Sequence, residues 1–121
     1  MLREVLVRVL VLDSQAQSRA IVNRALSSEG CLITAVRSCG ECRTTAGSFD
    51  VGIFDIELPD GLGIDVVREL VARGRLGRAI FFTSHVQPEL LDRALSLGVV
   101  VGKNEHVEVL RRAVRRCRTD H

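Results

Sequence analysis

The feature that most constrains this chain is a rhythm. Short apolar runs of strand length alternate with stretches whose apolar residues recur every three or four positions. The runs at residues 5–12, 31–36, 51–54, 79–82 and 99–101 have the length and continuity of strands covered on both faces. After the first run, Asp13 or Ser14 suits a helix start, Ala20, Ile21, Ala25 and Leu26 recur at helical spacing, and Gly30 suits the stop. Ser38 suits the cap of a short helix reaching about Ala46. The Leu58-Pro59-Asp60-Gly61 stretch reads as a turn into a helix with Ile64, Val67, Leu70 and Val71 on one face. Pro88 opens a helix carrying Leu90, Leu91, Ala94 and Leu95, closed by Gly98, and residues 105–116 supply the last helix.

Five strands alternating with five helices predict an α/β fold, a (βα)5 doubly wound parallel five-stranded sheet with right-handed crossovers. For a chain of 121 residues the expected strand order is the flavodoxin-like 2-1-3-4-5, all within a single domain, residues 1–121. That order sets the first and third strands side by side at the topological switch point, where open α/β sheets bind ligands.

Composition removes several classes of function. The net charge is only +2, Tyr and Trp are absent, and two of the four Phe fall inside an apolar run, so no footprint for direct nucleic-acid binding or for an anionic membrane is visible. No stretch approaches the roughly 18–20 apolar residues that span a bilayer. The opening Met-Leu-Arg-Glu-Val lacks the pattern of a secretory signal, so a cytoplasmic location is expected. Cys39-Gly-Glu-Cys42 has the C-x-x-C spacing of thiol–disulfide and zinc sites, but no second ligand pair repeats it. Packing at a helix start is the expectation there, and Cys31 and Cys117 read as small, core-facing residues. Neither G-x-G-x-x-G nor G-x-x-x-x-G-K-[ST] follows the first strand, which argues against a nucleotide-binding enzyme.

The residues that end the strands carry the chemistry. The first strand ends in Asp13, the third in Asp55, the fourth in Thr83 and Ser84, and the fifth in Lys103. All follow apolar runs directly, so all fall along one edge of the sheet. Two carboxylates, a hydroxyl and an ammonium there suit Mg²⁺, which takes hard oxygen ligands, together with a phosphoryl group whose equatorial oxygens need positive charge.

These residues, taken with the segments Phe-Asp-Val-Gly-Ile-Phe-Asp55-Ile-Glu-Leu-Pro59-Asp-Gly-Leu-Gly63, Ile-Phe-Phe-Thr83-Ser-His85 and Gly102-Lys103, resemble the receiver domain of bacterial response regulators over essentially the whole chain. The resemblance implies a CheY-like signalling module rather than an enzyme. Asp55 would accept a phosphoryl group from a histidine kinase or phosphotransfer protein, and a downstream effector protein would read the result. It further implies that Asp13, Asp55 and Glu57 hold Mg²⁺, Glu57 through its main-chain carbonyl, that Thr83 bonds the phosphoryl oxygen, and that Lys103 pairs with the phosphate. With no effector attached in this sequence, the output would pass to a separate protein, unless the chain is a piece of a longer one; a homodimer is compatible.

Two departures from the family pattern temper those expectations. The acidic pair that usually ends the first strand reads Asp13-Ser14, which predicts weak Mg²⁺ binding, with the Glu57 side chain either supplying an acid from the other side or solvated. Val100 and Asn104 replace an aromatic residue and a proline around Lys103 in a shortened stretch, so the output surface differs from the usual one. His85 is expected at the mouth of the site, and the arginine-rich residues 107–118 read as a solvated helix face or a docking face for an acidic partner. The alternative to a phosphorylated receiver is a pseudo-receiver, the same fold serving as a phosphorylation-independent interaction module.

Overall fold

The computed structural model describes residues 6–119, with side chains through residue 118; Val5 and the N-terminal residues read above for a targeting signal lie outside this range. Strand β1 (Val7–Leu12) leads to helix α1 (Ala16–Leu26), β2 (Cys31–Val36), α2 (Cys39–Thr44) and β3 (Phe49–Phe54). A two-rung ribbon of β4 (Glu57–Leu58) and β5 (Gly61–Leu62) follows, then α3 (Gly63–Ala72), β6 (Leu76–Thr83), α4 (Pro88–Leu95), β7 (Val99–Gly102) and α5 (Val107–Thr119). Five strands form one parallel sheet in the order β2-β1-β3-β6-β7. Set aside the ribbon, and this is the 2-1-3-4-5 order expected from the alternation.

The sheet divides two apolar layers. On one side Leu10, Leu12, Phe54 and Phe81 pack with Ile64, Val67 and Leu70 of α3 and Ala94 of α4. On the other Val9, Val11, Ile53 and Ile80 meet Val22 and Leu26 of α1 and Leu110 and Val114 of α5. Residues adjacent in a strand face opposite layers, so a strand buried on both sides must be apolar throughout, as β1, β3 and β6 nearly are.

Several local expectations are corrected. β3 and β6 begin earlier than their apolar runs, because Phe49 pairs with Leu76 and Val51 with Arg78. In α1 the buried positions are Ser18, Val22, Ala25 and Leu26, while Ala20 and Ile21 lie on the exposed side. In α3, Val66 is buried and Val71 is exposed; in α4, Leu95 is exposed. Where apolar residues are contiguous, spacing alone leaves the rotation of the helix open by about 100° per residue. The N-cap of α1 is Gln15 rather than Asp13 or Ser14. Helix α2 stops at Thr44, and α5 starts at Val107.

Three arginines of α5 make contacts within the molecule. Arg111 Nε donates to the Ala25 carbonyl at 3.0 Å, and Arg118 donates to the Glu29 carbonyl, so both meet acceptors at and beyond the carboxyl end of α1. Arg115 makes a two-pronged pair with the Glu29 carboxylate at 2.9 and 3.2 Å, which holds that carboxyl below its usual pKa.

Candidate functional site

Parallel pairing brings the strand ends together. Leu12 is opposite Phe54, and the Asp55 N–H donates to the Leu12 carbonyl at 2.8 Å, which places Asp13 and Asp55 side by side. Thr83 is opposite Gly102, and the Lys103 N–H donates to the Thr83 carbonyl at 2.8 Å. From this edge the Lys103 ammonium reaches back to Asp13 Oδ2 at 2.8 Å and Asp55 Oδ2 at 2.9 Å. The Thr83 hydroxyl donates to Asp55 Oδ1 at 3.0 Å, and the Ile56 N–H donates to the same oxygen at 2.8 Å.

The pairs are well shielded. Asp13 and Thr83 are 2% and 4% exposed, and the Lys103 and Asp55 side chains 12% each. Ions held this far from water need partners: removing one member of such a pair leaves an uncompensated charge, at a cost of roughly 3–5 kcal/mol.

The chain leaving Asp55 doubles back on itself. The Gly63 N–H donates to the Ile56 carbonyl at 2.8 Å, and a Cβ on Gly63 would sit 1.9 Å from the carbonyl oxygen of Asp55. Only glycine allows the start of α3 so close to the backbone of Asp55. Between them β4 and β5 pair antiparallel around Pro59-Asp60. Both Asp60 carboxylate oxygens accept main-chain N–H groups, from Cys39 and Gly40, each at 2.9 Å.

Of the residues singled out in the sequence, Asp13, Asp55, Thr83 and Lys103 thus converge. Glu57 is exposed on β4, and among the described residues no three His, Cys, Asp or Glu side chains cluster closely enough to hold a metal. The carboxylate oxygens gathered on this edge are therefore those of Asp13 and Asp55. His85 is exposed and, with Thr83, Ser84, Gly102 and Asn104, lines a shallow hollow of about 340 Å³ at the mouth. The four cysteines are free thiols. Cys39 and Cys42 are fully buried at α2, and burial pushes both thiols up to about 11, Cys39 with help from the Asp60 charge.

Two site residues escaped the sequence reading. Gln15 accepts a hydrogen bond from Lys103 at 3.3 Å, and Asp60 fastens the ribbon to α2. Asp60 sits in a motif that reads simply as a turn, and nothing local says that its carboxylate reaches a helix twenty residues earlier. Gln15 carries only the weak signal of standing two residues after a strand-end acid.

Residues 9–115 match the family model described as the response regulator receiver domain. The chain belongs to the response-regulator receiver family. A transcriptional regulatory protein of Bacillus subtilis (strain 168), YvfU, is 33% identical over 70 residues, which cover 56% of this chain and 35% of that protein. The match therefore spans about a third of that relative's length. Among solved structures, the receiver domain of NarL from Mycobacterium tuberculosis superposes with a TM-score of 0.81 at 24% identity, covering 95% of this chain and 98% of that one. TrrA from Thermotoga maritima, in complex with Mg²⁺ and BeF, gives 0.79 at 23% identity, covering 91% and 97%. CheY4 of Vibrio cholerae gives 0.76 at 19%, covering 93% and 99%. At these identities the likenesses establish the fold.

As a receiver domain of the two-component response regulators, the chain is a signalling module, and its departures have definite places. Ser14, in place of an acid, is exposed beside Asp13. Val100 is half-buried and packs with Val86, Leu90 and Leu97 against the α3–α4 layer, while Asn104 is exposed. No helix among the described residues is long and apolar enough to cross a membrane.

Proposed function

We propose that this receiver is phosphorylated on Asp55 and signals through protein–protein contacts. The observation that carries the reading is the convergence on one carboxylate of a hydroxyl, from Thr83, and an ammonium, from Lys103. In phosphoryl transfer from a phosphohistidine, an Asp55 oxygen forms the new P–O bond as the P–N bond breaks, and the imidazole leaves with the bond pair and takes up a proton. The charge then spreads over the equatorial phosphoryl oxygens. Lys103 supplies positive charge there, and Thr83 supplies a donor. Both exchange their present contacts with Asp55 for the roughly −1.5 to −2 charges of the phosphoryl group, which is the differential interaction a switch needs.

The Asp13 and Asp55 carboxylates are hard oxygens of the kind Mg²⁺ takes, and the family resemblance adds the Glu57 main-chain carbonyl to them. When bound, the ion neutralises phosphoryl charge. With Ser14 where a second acid would stand, its affinity is low. The partners in this reading are a histidine kinase or phosphotransfer protein and an effector, in the cytoplasm.

Incubation with a small phosphodonor and Mg²⁺, followed by intact mass, tests the proposal. The expected result is an acid-labile phosphoryl adduct on the parent protein that Asp55→Asn abolishes; no adduct across a wide Mg²⁺ range ends the reading. One observation favours a second reading, a pseudo-receiver working as a phosphorylation-independent interaction module: Lys103 already pairs with both acids of a site that lacks one carboxylate. In that case Asp55→Asn leaves partner binding unchanged.

A further inference from the structure

The Lys103 ammonium has three hydrogens and three oxygen neighbours: Asp13 Oδ2 at 2.8 Å, Asp55 Oδ2 at 2.9 Å and Gln15 Oε1 at 3.3 Å. Its donor capacity is filled. Gln15 is the N-cap of α1, yet its side chain makes no cap bond and points its oxygen at the lysine instead. Chemistry fixes which way the amide lies, since an ammonium only donates. The hydroxyl of Ser18, a buried residue, donates to the same Oε1 at 3.2 Å and pins it from the helix side. The Gln15 N–H in turn donates to Asp13 Oδ1 at 2.9 Å. Gln15 therefore touches both members of the Lys103–Asp13 pair, one through its side chain and one through its backbone.

We infer that Gln15 is a positioning residue: it holds the Lys103 ammonium against Asp13, making this lysine the resident cation of the unphosphorylated site, which a divalent ion must displace from Asp13. Only one acid follows β1, so Asp13 serves either the lysine or the metal fully, not both. Whatever loosens Lys103 from Asp13 favours the metal, and Gln15 sets that balance without itself meeting the phosphoryl group. The biological meaning of this balance rests on Asp55 being the phosphoacceptor, but its test needs no phosphodonor.

The sequence makes the test direct, because Lys103 is the sole lysine in the chain. Labelling the full protein with [15N]lysine gives one ammonium resonance, and its hydrogen-exchange rate reports how firmly the group is held. Gln15→Leu is expected to speed that exchange by roughly three- to tenfold and to tighten Mg²⁺ binding, read by calorimetry, by a similar factor. Gln15→Glu, which restores an acceptor, is expected to return the slow exchange. Ser18→Ala, which frees Gln15, gives an intermediate exchange rate. Unaltered exchange in Gln15→Leu overturns the inference, as does Mg²⁺ affinity that is unchanged, weaker or unmeasurable in both proteins. A Gln15-dependent ammonium signal in a protein that never forms an Asp55 adduct overturns the phosphoacceptor reading alone and leaves this one standing.

Discussion

Asp60 closes the amino end of the helix that Cys39 opens, accepting the Cys39 N–H on one carboxylate oxygen and the Gly40 N–H on the other. Ser38 Oγ accepts the Glu41 N–H beside them, so the first three N–H groups of α2 all have side-chain partners. A six-residue helix has no stability of its own and depends on such fastening.

Asp60→Ala is therefore expected to lower the melting temperature by a few degrees near neutral pH. The two backbone N–H groups hold the Asp60 carboxyl below its usual pKa. A carboxyl depressed by folding contributes stability above its unfolded pKa and loses it as the pH falls through the lower folded value. The gap between parent and variant should shrink in acid; a thermal-melt series from neutral pH to about pH 2 checks it. Equal melting points at neutral pH would show that the cap is idle.

Gly63→Ala places a methyl group 1.9 Å from the Asp55 carbonyl oxygen, a contact with backbone that cannot be relieved by rotating a side chain. A loss of about 3 kcal/mol or more is expected from denaturant unfolding, together with a displaced acceptor. Gly40→Ala is the control: its added Cβ meets Asp60 Oδ2 at an ordinary 3.5 Å, and alanine favours the helix, so that variant should be neutral or slightly stabilised.

Ser14→Asp restores a second acid beside Asp13. A carboxylate near a divalent ion is worth a few kcal/mol at an effective dielectric of about 20, and repulsion between the acids removes part of it, leaving Mg²⁺ binding tighter by roughly tenfold or more. Calorimetry is the appropriate readout, because the chain has no Trp or Tyr to report by fluorescence. Unchanged affinity would mean that position 14 does not face the ion.

Cys39 and Cys42 should resist alkylation in the folded protein at pH 7–8, since the thiolate is the reactive form and burial pushes both thiols up to about 11. Cys31, only partly buried, is expected to label first, and all four should react in denaturant. Groups whose folded pKa is raised contribute stability below the unfolded value, near 9 for a thiol, and that contribution is lost as the pH rises toward 11. Rapid native labelling of Cys39 or Cys42, located by peptide mass, would contradict this.

Much of this architecture was legible in the sequence because burial on both faces demands unbroken apolar runs, and the strand order follows from the crossover rules once five such runs alternate with helices. The same reading lines up Asp13, Asp55, Thr83 and Lys103, since each directly follows its run. What escaped depends on distance in space rather than along the chain. Whether Ile21 or Val22 faces inward is decided by the packing of α1 against α5 and the sheet. Asp60 meets Cys39 only because the ribbon folds back over α2. Gln15 meets Lys103 across 88 positions, and neither residue type announces the other.

The close approach of Gly63 to Asp55 divides this edge of the molecule into a fixed half and an adjustable half. Asp55, the ribbon and the first turn of α3 are wedged together with no clearance, and Asp60 bolts them to α2. Across the site, residues 84–87 belong to no helix or strand and join Thr83 to α4. In mechanical terms Asp55 stands on the stator, and on the phosphoacceptor reading any travel that follows a change in its charge would be taken up on the Thr83 side.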